Sequence, residues 1–374
     1  MKYLATCKLG LESVVARELR ELGIAVDETA DARVFFSGGY AVMIRALLWL
    51  RAAERVLLIV GSFEAERFDA LFDGTYALNW KAFLRPDTTI HVTGKSAKSP
   101  LFSVPDCQRI VKKAIVENLK QAYHCTVIPE GGPEVIVEVG MLRGEATLAL
   151  DCCGAGLSRR GYRTYNVSAP ISETLGAAVI MLARYKADMP LLDPLCGSGT
   201  MPIEAAMIAA NIAPGNKREF AAEQWDFVDA HLWAEQREAA GAAERAPSQL
   251  IRGYDIDPHC IDLCKKHAKK AGVMLSWGCQ PVSALQSEHP SGIIVCNPPY
   301  GERVFTKETA SALYRQMREV FDAMPGWSKH IVSGMRDFER AYGRHADKRR
   351  NLSNGGIPCV LYQYFAERAA GTDT

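Results

Sequence analysis

The tetrapeptide Asn297-Pro298-Pro299-Tyr300 is the part of the sequence best suited to chemistry. It directly follows the apolar run 291–296, which predicts a buried parallel strand ending at the carboxyl edge of a sheet, where α/β proteins bind ligands. The two prolines remove N–H donors and fix φ, so that the Pro298 carbonyl and the Asn297 side chain can face one point. Two acceptors beside the Tyr300 ring suit a flipped-out base with an exocyclic amine. The alternative is an ordinary strand stopped by prolines. We take the four residues as catalytic candidates.

A second motif precedes the tetrapeptide by about a hundred residues. The segment Leu191–Thr200 predicts a strand and a Gly-x-Gly turn, and the apolar segment 201–208 predicts a helix. A dinucleotide fingerprint needs a third glycine where Pro202 stands, and no lysine follows the glycines as a phosphate-binding loop requires. A cofactor without a pyrophosphate, such as S-adenosylmethionine, fits better, and Asp193 could face its ammonium or sulfonium region. A plain structural turn is the alternative.

A third motif lies between these two, where segment 249–255 predicts a strand that ends in an acid. An acid at this position accepts hydrogen bonds from ribose hydroxyls in nucleotide-binding α/β folds, which favours Asp255 as a cofactor ligand. We expect Asp257 to cap the helix that begins near Pro258. The alternative is that both acids only cap that helix.

These three motifs resemble those of the class I S-adenosylmethionine-dependent amino-methyltransferases. The segment Ala155–Arg163 is similar to the one that joins an RNA-binding THUMP domain to its methyltransferase domain, and Ala169–Leu175 resembles the helix start before the cofactor strand. Asn354–Cys359 and the strand Tyr362–Tyr364 resemble the carboxyl end of the same family. The resemblance covers nearly the whole chain.

The resemblance implies an RNA methyltransferase of the bacterial 23S ribosomal RNA guanine-N2 type, in the short form with a single methyltransferase domain. A tRNA guanine-N2 methyltransferase, a DNA adenine-N6 methyltransferase and a non-catalytic RNA-binding assembly factor are the alternatives. Pro281 stands where such enzymes usually place an aspartate near the adenine amine, which leaves that contact open. The motifs and the resemblance together imply a set of cofactor-binding residues: Pro170, Glu173, Thr174, Asp193, Cys196, Gly197, Ser198, Gly199, Thr200, Asp255, Ile256 and Asn297.

The predicted fold class is α/β in several units. Strands and helices alternate to about residue 60, and a second α/β unit follows with a strand at Thr89–Gly94 and a helix at Pro105–Tyr123. A helical insertion, 213–247, has aromatic residues that we expect in the core. The predicted organisation is a ferredoxin-like subdomain at 1–60, a THUMP RNA-binding domain at 61–153, a linker at 154–168 and a Rossmann-like, doubly wound class I methyltransferase domain at 169–374.

RNA binding is expected to concentrate between Lys95 and Lys120, where six cations stand against two acids. The helix from Pro105 should carry its cations opposite a buried apolar stripe, and the segment Gly94–Ser99 should form a flexible loop that donates to phosphates. A merely solvated face is the alternative. The predicted RNA-binding residues are Lys95, Lys98, Arg109, Lys112, Lys113, Lys120, Arg159, Arg160 and Arg163.

Composition limits the remaining possibilities. With 44 basic and 43 acidic residues, nucleic-acid contacts must come from local patches. No run of 18 apolar residues and no signal peptide is evident, so no membrane partner is predicted. The 11 cysteines lack Cys-x-x-Cys spacing, which favours a reduced, cytoplasmic protein. No metal is predicted, because His259, Cys260, Cys264 and His267 share one predicted helix without a second ligand cluster.

Overall fold

Two seven-stranded sheets organise the protein, one in each half of the chain. The computed structural model describes residues 1–163, 171–299 and 307–366. The elements of the first half are strands β1 (Lys2–Cys7), β2 (Val26–Ala30), β3 (Arg33–Ser37), β4 (Ala53–Glu64), β5 (Thr89–Ala97), β6 (Glu134–Leu142) and β7 (Glu145–Asp151), with helices α1 (Glu12–Glu21), α2 (Tyr40–Trp49), α3 (Phe68–Tyr76) and α4 (Val104–Tyr123).

The first sheet has the order β2-β3-β1-β4-β7-β6-β5. All neighbours are antiparallel except β5 and β6. Strand β4 is long enough to pair with β1 on one side and β7 on the other, so the ferredoxin-like and THUMP parts share one sheet. The boundary expected at residue 60 therefore lies inside β4. Strand β2 was not expected, because its sequence, Val-Asp-Glu-Thr-Ala, lacks an apolar alternation; as an edge strand it needs none.

One face of this sheet is covered by the helices and the other carries Lys95. Gly94 faces α4, since a Cβ added to it would lie 3.0 Å from Val104 Cγ1. Successive strand residues point to opposite faces, so Lys95 projects away from α4, where its ammonium lies 3.0 Å from Glu138 Oε2. The prediction of a flexible loop at 94–99 is wrong for Gly94–Ala97, because these residues belong to β5. Lys95 and the cations of α4 therefore form two surfaces instead of one.

The second sheet has the doubly wound order β10-β9-β8-β11-β12-β14-β13 and confirms the predicted fold class. Strand β14 is antiparallel to both of its neighbours, β12 and β13, and all the other neighbouring strands are parallel. Its strands are β8 (Leu191–Asp193), β9 (Ile251–Asp255), β10 (Ser276–Cys279), β11 (Gly292–Cys296), β12 (Trp327–Ser333), β13 (Lys348–Asn354) and β14 (Ile357–Tyr364). The helices of this half are α5 (Glu173–Leu182), α6 (Thr200–Ala209), α7 (Ala230–Ala242), α8 (Pro258–Ala271), α9 (Lys307–Asp322) and α10 (Phe338–Tyr342). Among the described helices, none combines the length and the apolar composition that a bilayer crossing requires.

The insertion between β8 and β9 packs between the two halves. Trp225 and Trp233 are buried in it, as the sequence predicts. Its backbone is bonded to the first half, because Gly215 N–H donates to Leu48 O at 2.9 Å and Ala222 N–H donates to Cys152 O at 3.1 Å. The largest hydrophobic cluster accordingly contains residues of both halves. The insertion is thus part of the interface core.

A buried charge network also joins the halves through the linker. The side chains of Arg160 and Glu204 are only 2% and 0% exposed, and Arg160 Nε lies 3.5 Å from Glu204 Oε1. Arg160 also donates to Leu157 O at 2.7 Å and to Arg51 O at 2.5 Å, while Tyr162 donates to Glu204 Oε1 at 3.1 Å. These bonds leave Arg160 no access to RNA phosphates, so its expected RNA-binding role is withdrawn.

We predict that Arg160→Ala destabilises the full-length chain by about 3 kcal/mol, because it leaves the buried Glu204 carboxylate without its cation. The adjacent Arg159 is exposed and provides a matched control, for which Arg159→Ala should change stability by less than about 0.5 kcal/mol. The shift of the urea midpoint measures both. Equal midpoints for the two variants would show that the network does not hold the halves together.

Candidate active site

The carboxyl ends of three parallel strands bring the three sequence motifs together. Strand β8 ends at Asp193 and pairs in parallel with β9 and with β11. Asp255 ends β9, and Asn297 follows β11. Because parallel strands end on the same edge, these side chains share the crevice at which the chain reverses its winding direction. The predicted convergence of Asp193, Asp255 and Asn297 on this edge is present.

The Gly-x-Gly turn after β8 is closed by backbone bonds and open on one side. Gly199 N–H donates to Cys196 O at 2.8 Å, with φ of +85° at Gly199 and +53° at Gly197. A Cβ on Gly199 would lie 2.8 Å from the Trp277 ring, whereas a Cβ on Gly197 would meet no described atom within 4 Å. Gly197 therefore presents bare backbone to open space, which is how such turns approach a cofactor.

Asp255 ties this turn to the neighbouring strand. Its Oδ2 accepts from Gly197 N–H at 2.9 Å, and its Oδ1 accepts from Asp257 N–H at 3.0 Å. Burial raises the pKa of the Asp255 carboxyl above its ordinary value. Each oxygen keeps further acceptor capacity for a hydroxyl group. Asp257 caps α8, as expected, by accepting from His259 N–H at 2.8 Å.

Two side chains of α8 form hydrogen bonds to carbonyl groups of the Gly-x-Gly turn, a role that the sequence did not reveal. Cys264 Sγ donates to Gly197 O at 3.1 Å, and His267 Nδ1 lies 3.0 Å from Ser198 O. A carbonyl only accepts, so the His267 proton is on Nδ1, and burial lowers the pKa of this imidazole. Their three-residue spacing puts both on one helix face, a pattern that ordinary packing residues share.

Two buried oxygens at the same edge have no donor within the described part of the chain. Asp193 is 1% exposed, and its Oδ1 accepts from Leu195 N–H at 3.1 Å. Asp193 Oδ2 and Asn297 Oδ1 are buried without a hydrogen-bond partner among the residues that the structure describes. Burial raises the pKa of the Asp193 carboxyl well above its ordinary value. Buried acceptors normally have donors, so this pair fits a ligand that brings N–H groups.

The tetrapeptide is anchored at Pro299. The Tyr314 hydroxyl donates to Pro299 O at 2.9 Å, and the fully buried Tyr314 ring lies 4.9 Å from that of Phe338. This bond fixes the peptide that follows the Pro298 carbonyl. Tyr314 lies on the apolar face of α9, where nothing in the sequence separates it from packing residues. Tyr300 lies outside the described residues.

The start of α5 borders the turn. Arg163 Nη2 donates to Glu173 Oε2 at 3.0 Å, and Arg163 Nη1 lies 3.4 Å from Thr200 Oγ1. Only 14% of the Arg163 side chain is exposed, and its ion pair with Glu173 holds it beside the start of α5. Arg163 is therefore withdrawn from the predicted RNA-binding residues. The Thr174 hydroxyl donates to Glu54 Oε1 of the first half at 2.5 Å. Pro170 lies outside the described residues.

The predicted cofactor residue Ile256 lies at the rim of the crevice. Ile256 directly follows β9 and is 69% exposed, which makes it an apolar surface beside Asp255. Gln280 N–H donates to Asp255 O at 3.0 Å, and the next residue, Pro281, is the N-cap of the short 3₁₀ helix Val282–Ala284. The Pro281 side chain has no group that could accept a hydrogen bond from the adenine amine.

The sheet order, with three parallel strands that end at one edge, defines a class I methyltransferase fold. The chain matches the RMKL-like methyltransferase domain over residues 160–363, the RlmL ferredoxin-like domain over 2–57 and the THUMP domain over 65–151. It belongs to the RMKL-like methyltransferase family. The predicted family is confirmed, as is S-adenosylmethionine as the cofactor.

Individual relatives resemble nearly all of this chain. YpsC of Bacillus subtilis, named provisionally as an RNA methyltransferase, is 42% identical over 97% of this chain and 96% of its own. The ribosomal RNA large subunit methyltransferase K/L of Aliivibrio fischeri is 35% identical over 99% of this chain; the chain spans only 54% of that protein. The structure of SMU.472, named provisionally as a methyltransferase and crystallised with S-adenosylhomocysteine, has a TM-score of 0.92 at 39% identity, covering 98% of each chain. A Listeria monocytogenes structure, named as a predicted N6-adenine-specific DNA methylase, has a TM-score of 0.92 at 42% identity, covering 98% of this chain and 96% of its own.

We predict that Asp255→Ala weakens S-adenosylmethionine binding by about tenfold, since one charge-assisted hydrogen bond is worth about 1.4 kcal/mol or more. Calorimetry without RNA measures the effect, and Asp257→Asn, which keeps the capping oxygen of α8 and the Asp255 carboxylate, is the control. Because the Asp255 pKa is raised, wild-type affinity should begin to fall at a higher pH than an ordinary aspartate would cause, and Asp255→Asn should remove that part of the dependence. Unchanged affinity in Asp255→Ala would exclude the ribose role.

Proposed function

We propose that this chain is an S-adenosylmethionine-dependent RNA methyltransferase that modifies an exocyclic base amine, namely guanine N2 of 23S ribosomal RNA. The observation that supports it best is the pair of buried, unpartnered acceptors, Asp193 Oδ2 and Asn297 Oδ1, beside an open glycine turn in the described part of the chain. Acceptors of this kind suit the two N–H-bearing groups that such a reaction brings together: the cofactor's ammonium group and the base amine.

The residues around the turn fit the methyl donor. In this proposal the bare backbone at Gly197 lies against the cofactor, Asp255 accepts from the ribose hydroxyls, and the exposed Ile256 covers one face of the adenine. Asp193 Oδ2 accepts from the ammonium group. Cys196, Ser198, Gly199 and Thr200 shape the turn, while Glu173 and Thr174 close it from α5. When bound, the cofactor supplies a sulfonium methyl group, which is already a strong electrophile.

The catalytic task of the tetrapeptide is to prepare a weak nucleophile. The lone pair of a guanine amine is delocalised into the ring, so the amine must become more tetrahedral to attack. Asn297 Oδ1 and the Pro298 carbonyl, as acceptors, hold the two N–H groups and direct the lone pair toward the methyl group. The bond from Tyr314 to Pro299 O keeps these acceptors in place. Positioning and electrostatics therefore carry the catalysis, and we assign Tyr300 to stacking on the base.

RNA is favoured as the substrate by the first half of the chain. The THUMP match occupies residues 65–151, and relatives that align with 97% and 99% of the chain are named for RNA or ribosomal RNA. The second candidate is DNA adenine N6, which the name of the Listeria protein favours and which uses a tetrapeptide of the same form. Transfer of tritiated methyl groups to bulk rRNA, tRNA and DNA from cells lacking the gene separates these substrates; label in DNA alone would overturn the proposal.

The helix face of α4 is the proposed RNA surface. Arg109 is 78% exposed and pairs with Asp106, and Lys112 lies 3.0 Å from Glu130 Oε1. Lys113 is exposed, with its ammonium 5.9 Å from the centre of the Phe72 ring. Exposed ion pairs of this kind contribute little free energy, so these cations can exchange their acidic partners for RNA phosphates. Lys98, Lys120 and Arg159 remain candidates outside this cluster, while Lys95 faces the other side of the sheet.

We predict that Asn297→Ala lowers kcat by about a hundredfold or more, because it removes one of the two acceptors for the amine. Binding of S-adenosylmethionine should change by no more than about threefold, since the acceptor faces the base in this proposal. Single-turnover methyl transfer and calorimetry measure the two quantities. A loss of cofactor affinity as large as the loss of rate would contradict the assignment of Asn297.

We predict that changing Arg109, Lys112 and Lys113 together to Ala flattens the slope of log K against log salt for RNA binding by up to about three units, one for each phosphate that the variant no longer neutralises. KM for RNA should rise, while the chemical step at saturating RNA stays near its original rate. Changing three of the four exposed lysines of α8, Lys266, Lys269 and Lys270, to Ala removes the same charge and is the matched control. Equal slopes for both triple variants would show that the α4 face is merely solvated.

A further inference from the structure

Glu54 of the first half reaches the predicted cofactor site of the second half. It is the second residue of β4, and its Oε1 accepts from Lys8 Nζ at 2.6 Å and from Thr174 Oγ1 at 2.5 Å. Thr174 is fully buried. The Glu54 backbone is held as well, because Leu157 N–H donates to Glu54 O at 2.8 Å. The carboxylate is therefore held in a fixed position against the first turn of α5.

The contact continues from Thr174 to the Gly-x-Gly turn. Thr174 is next to Glu173, which accepts from Arg163 at 3.0 Å, and Arg163 also lies 3.4 Å from Thr200, the first residue after the turn. One turn into α5, Gly176 packs closely on Thr200, since an added Cβ would lie 3.2 Å from Thr200 Cγ2. A shift of the first helical turn of α5 would therefore also shift the Gly-x-Gly turn.

The charge of Glu54 suits this place. A carboxylate near a helix amino terminus interacts favourably with the unpaired N–H groups there. Lys8 balances that charge from the end of β1, and its side chain is only 13% exposed. On the other side of the start of α5, Ser172 N–H donates to the Asn354 side chain at 3.3 Å. The first turn of α5 is therefore held by residues from both halves of the chain.

We propose that Glu54 is a positioning residue for the methyl-donor site: it holds Thr174 and the start of α5 against the glycine turn. The half of the chain that carries the THUMP domain would thereby contribute to cofactor affinity. This inference rests on the proposed cofactor role of Thr174, and it adds a residue that no motif at the site contains. Glu54 acts through Thr174 and is not itself in contact with the reacting groups.

The test compares four variants of the full-length chain by calorimetry with S-adenosylmethionine and by thermal unfolding. Glu54→Ala removes the acceptor, and Glu54→Gln keeps an oxygen for the Thr174 hydroxyl. Thr174→Val removes the hydroxyl with its shape retained, and Thr174→Ser keeps the hydroxyl. Glu64→Ala is the matched control, because Glu64 is an exposed carboxylate at the other end of the same strand.

We expect Glu54→Ala and Thr174→Val each to weaken cofactor binding by about tenfold, which corresponds to about 1.4 kcal/mol. Glu54→Gln and Glu64→Ala should stay within about twofold of wild type, and Thr174→Ser should lose less affinity than Thr174→Val. The Glu54→Ala/Thr174→Val double variant should be no weaker than either single variant, since both remove the same bond.

Wild-type affinity in Glu54→Ala, even with a lower Tm, would overturn the proposal and leave Glu54 as a structural tie between the halves. Equal losses in Glu54→Ala and Glu54→Gln would also overturn it, because the acceptor would then not be the operative group. If Glu54→Ala does not fold, Thr174→Val and Thr174→Ser are compared instead: the larger loss of affinity should occur in Thr174→Val, and equal losses would overturn the proposal. The readout uses no RNA, so its failure is distinguishable from an error in the proposed base or substrate.

Discussion

The parallel pairing of β8 with β9 on one side and β11 on the other is the constraint on which the active site depends. It makes strands that are about sixty and a hundred residues from β8 in the sequence end at one edge. The Asp255 carboxylate then bonds to the Gly197 N–H of the neighbouring turn, so the shape of the turn and the position of the acid are set together. Trp277 and Cys264 fill the space behind the glycines, which explains why larger residues at Gly199 or Gly253 would not fit.

The two halves of the chain form one folded unit at their interface. A continuous hydrophobic cluster, backbone bonds from the insertion to the end of α2 and the buried Arg160–Glu204 pair all cross it. Breaking such an interface would leave charged and polar groups buried without partners, which is costly. In the proposed function, an RNA bound by the first half would therefore be held at a defined distance from the methyl-transfer site.

The arginines of the linker show where sequence reasoning fails. Arg159, Arg160 and Arg163 have the same charge and lie within five residues, and a sequence pattern treats them as one basic cluster. In the structure Arg159 is exposed, Arg160 is buried against Glu204, and Arg163 pairs with Glu173. The acidic partners of Arg163 and Arg160 lie 10 and 44 residues away in the sequence, and the Arg51 carbonyl that Arg160 also contacts is 109 residues away, so local composition does not indicate them. The separation of Lys95 from the cations of α4 arises in the same way, from the alternation of side chains along β5.

The sequence by itself determined the class of fold, the order of the parts, the cofactor class and the strand-end residues Asp193, Asp255 and Asn297. The strands, turns and strand-end residues follow from local rules, since strand periodicity, glycine turns and proline stops act over a few residues. The order of the parts and the cofactor class rest on the resemblance of these motifs to a known family. Only the tertiary structure decided which residues support that site: Cys264 and His267 beneath the turn, Tyr314 on Pro299, and Glu54 on Thr174. Their roles depend on contacts between elements distant in the chain, where burial and packing geometry, and not residue type, choose the partner.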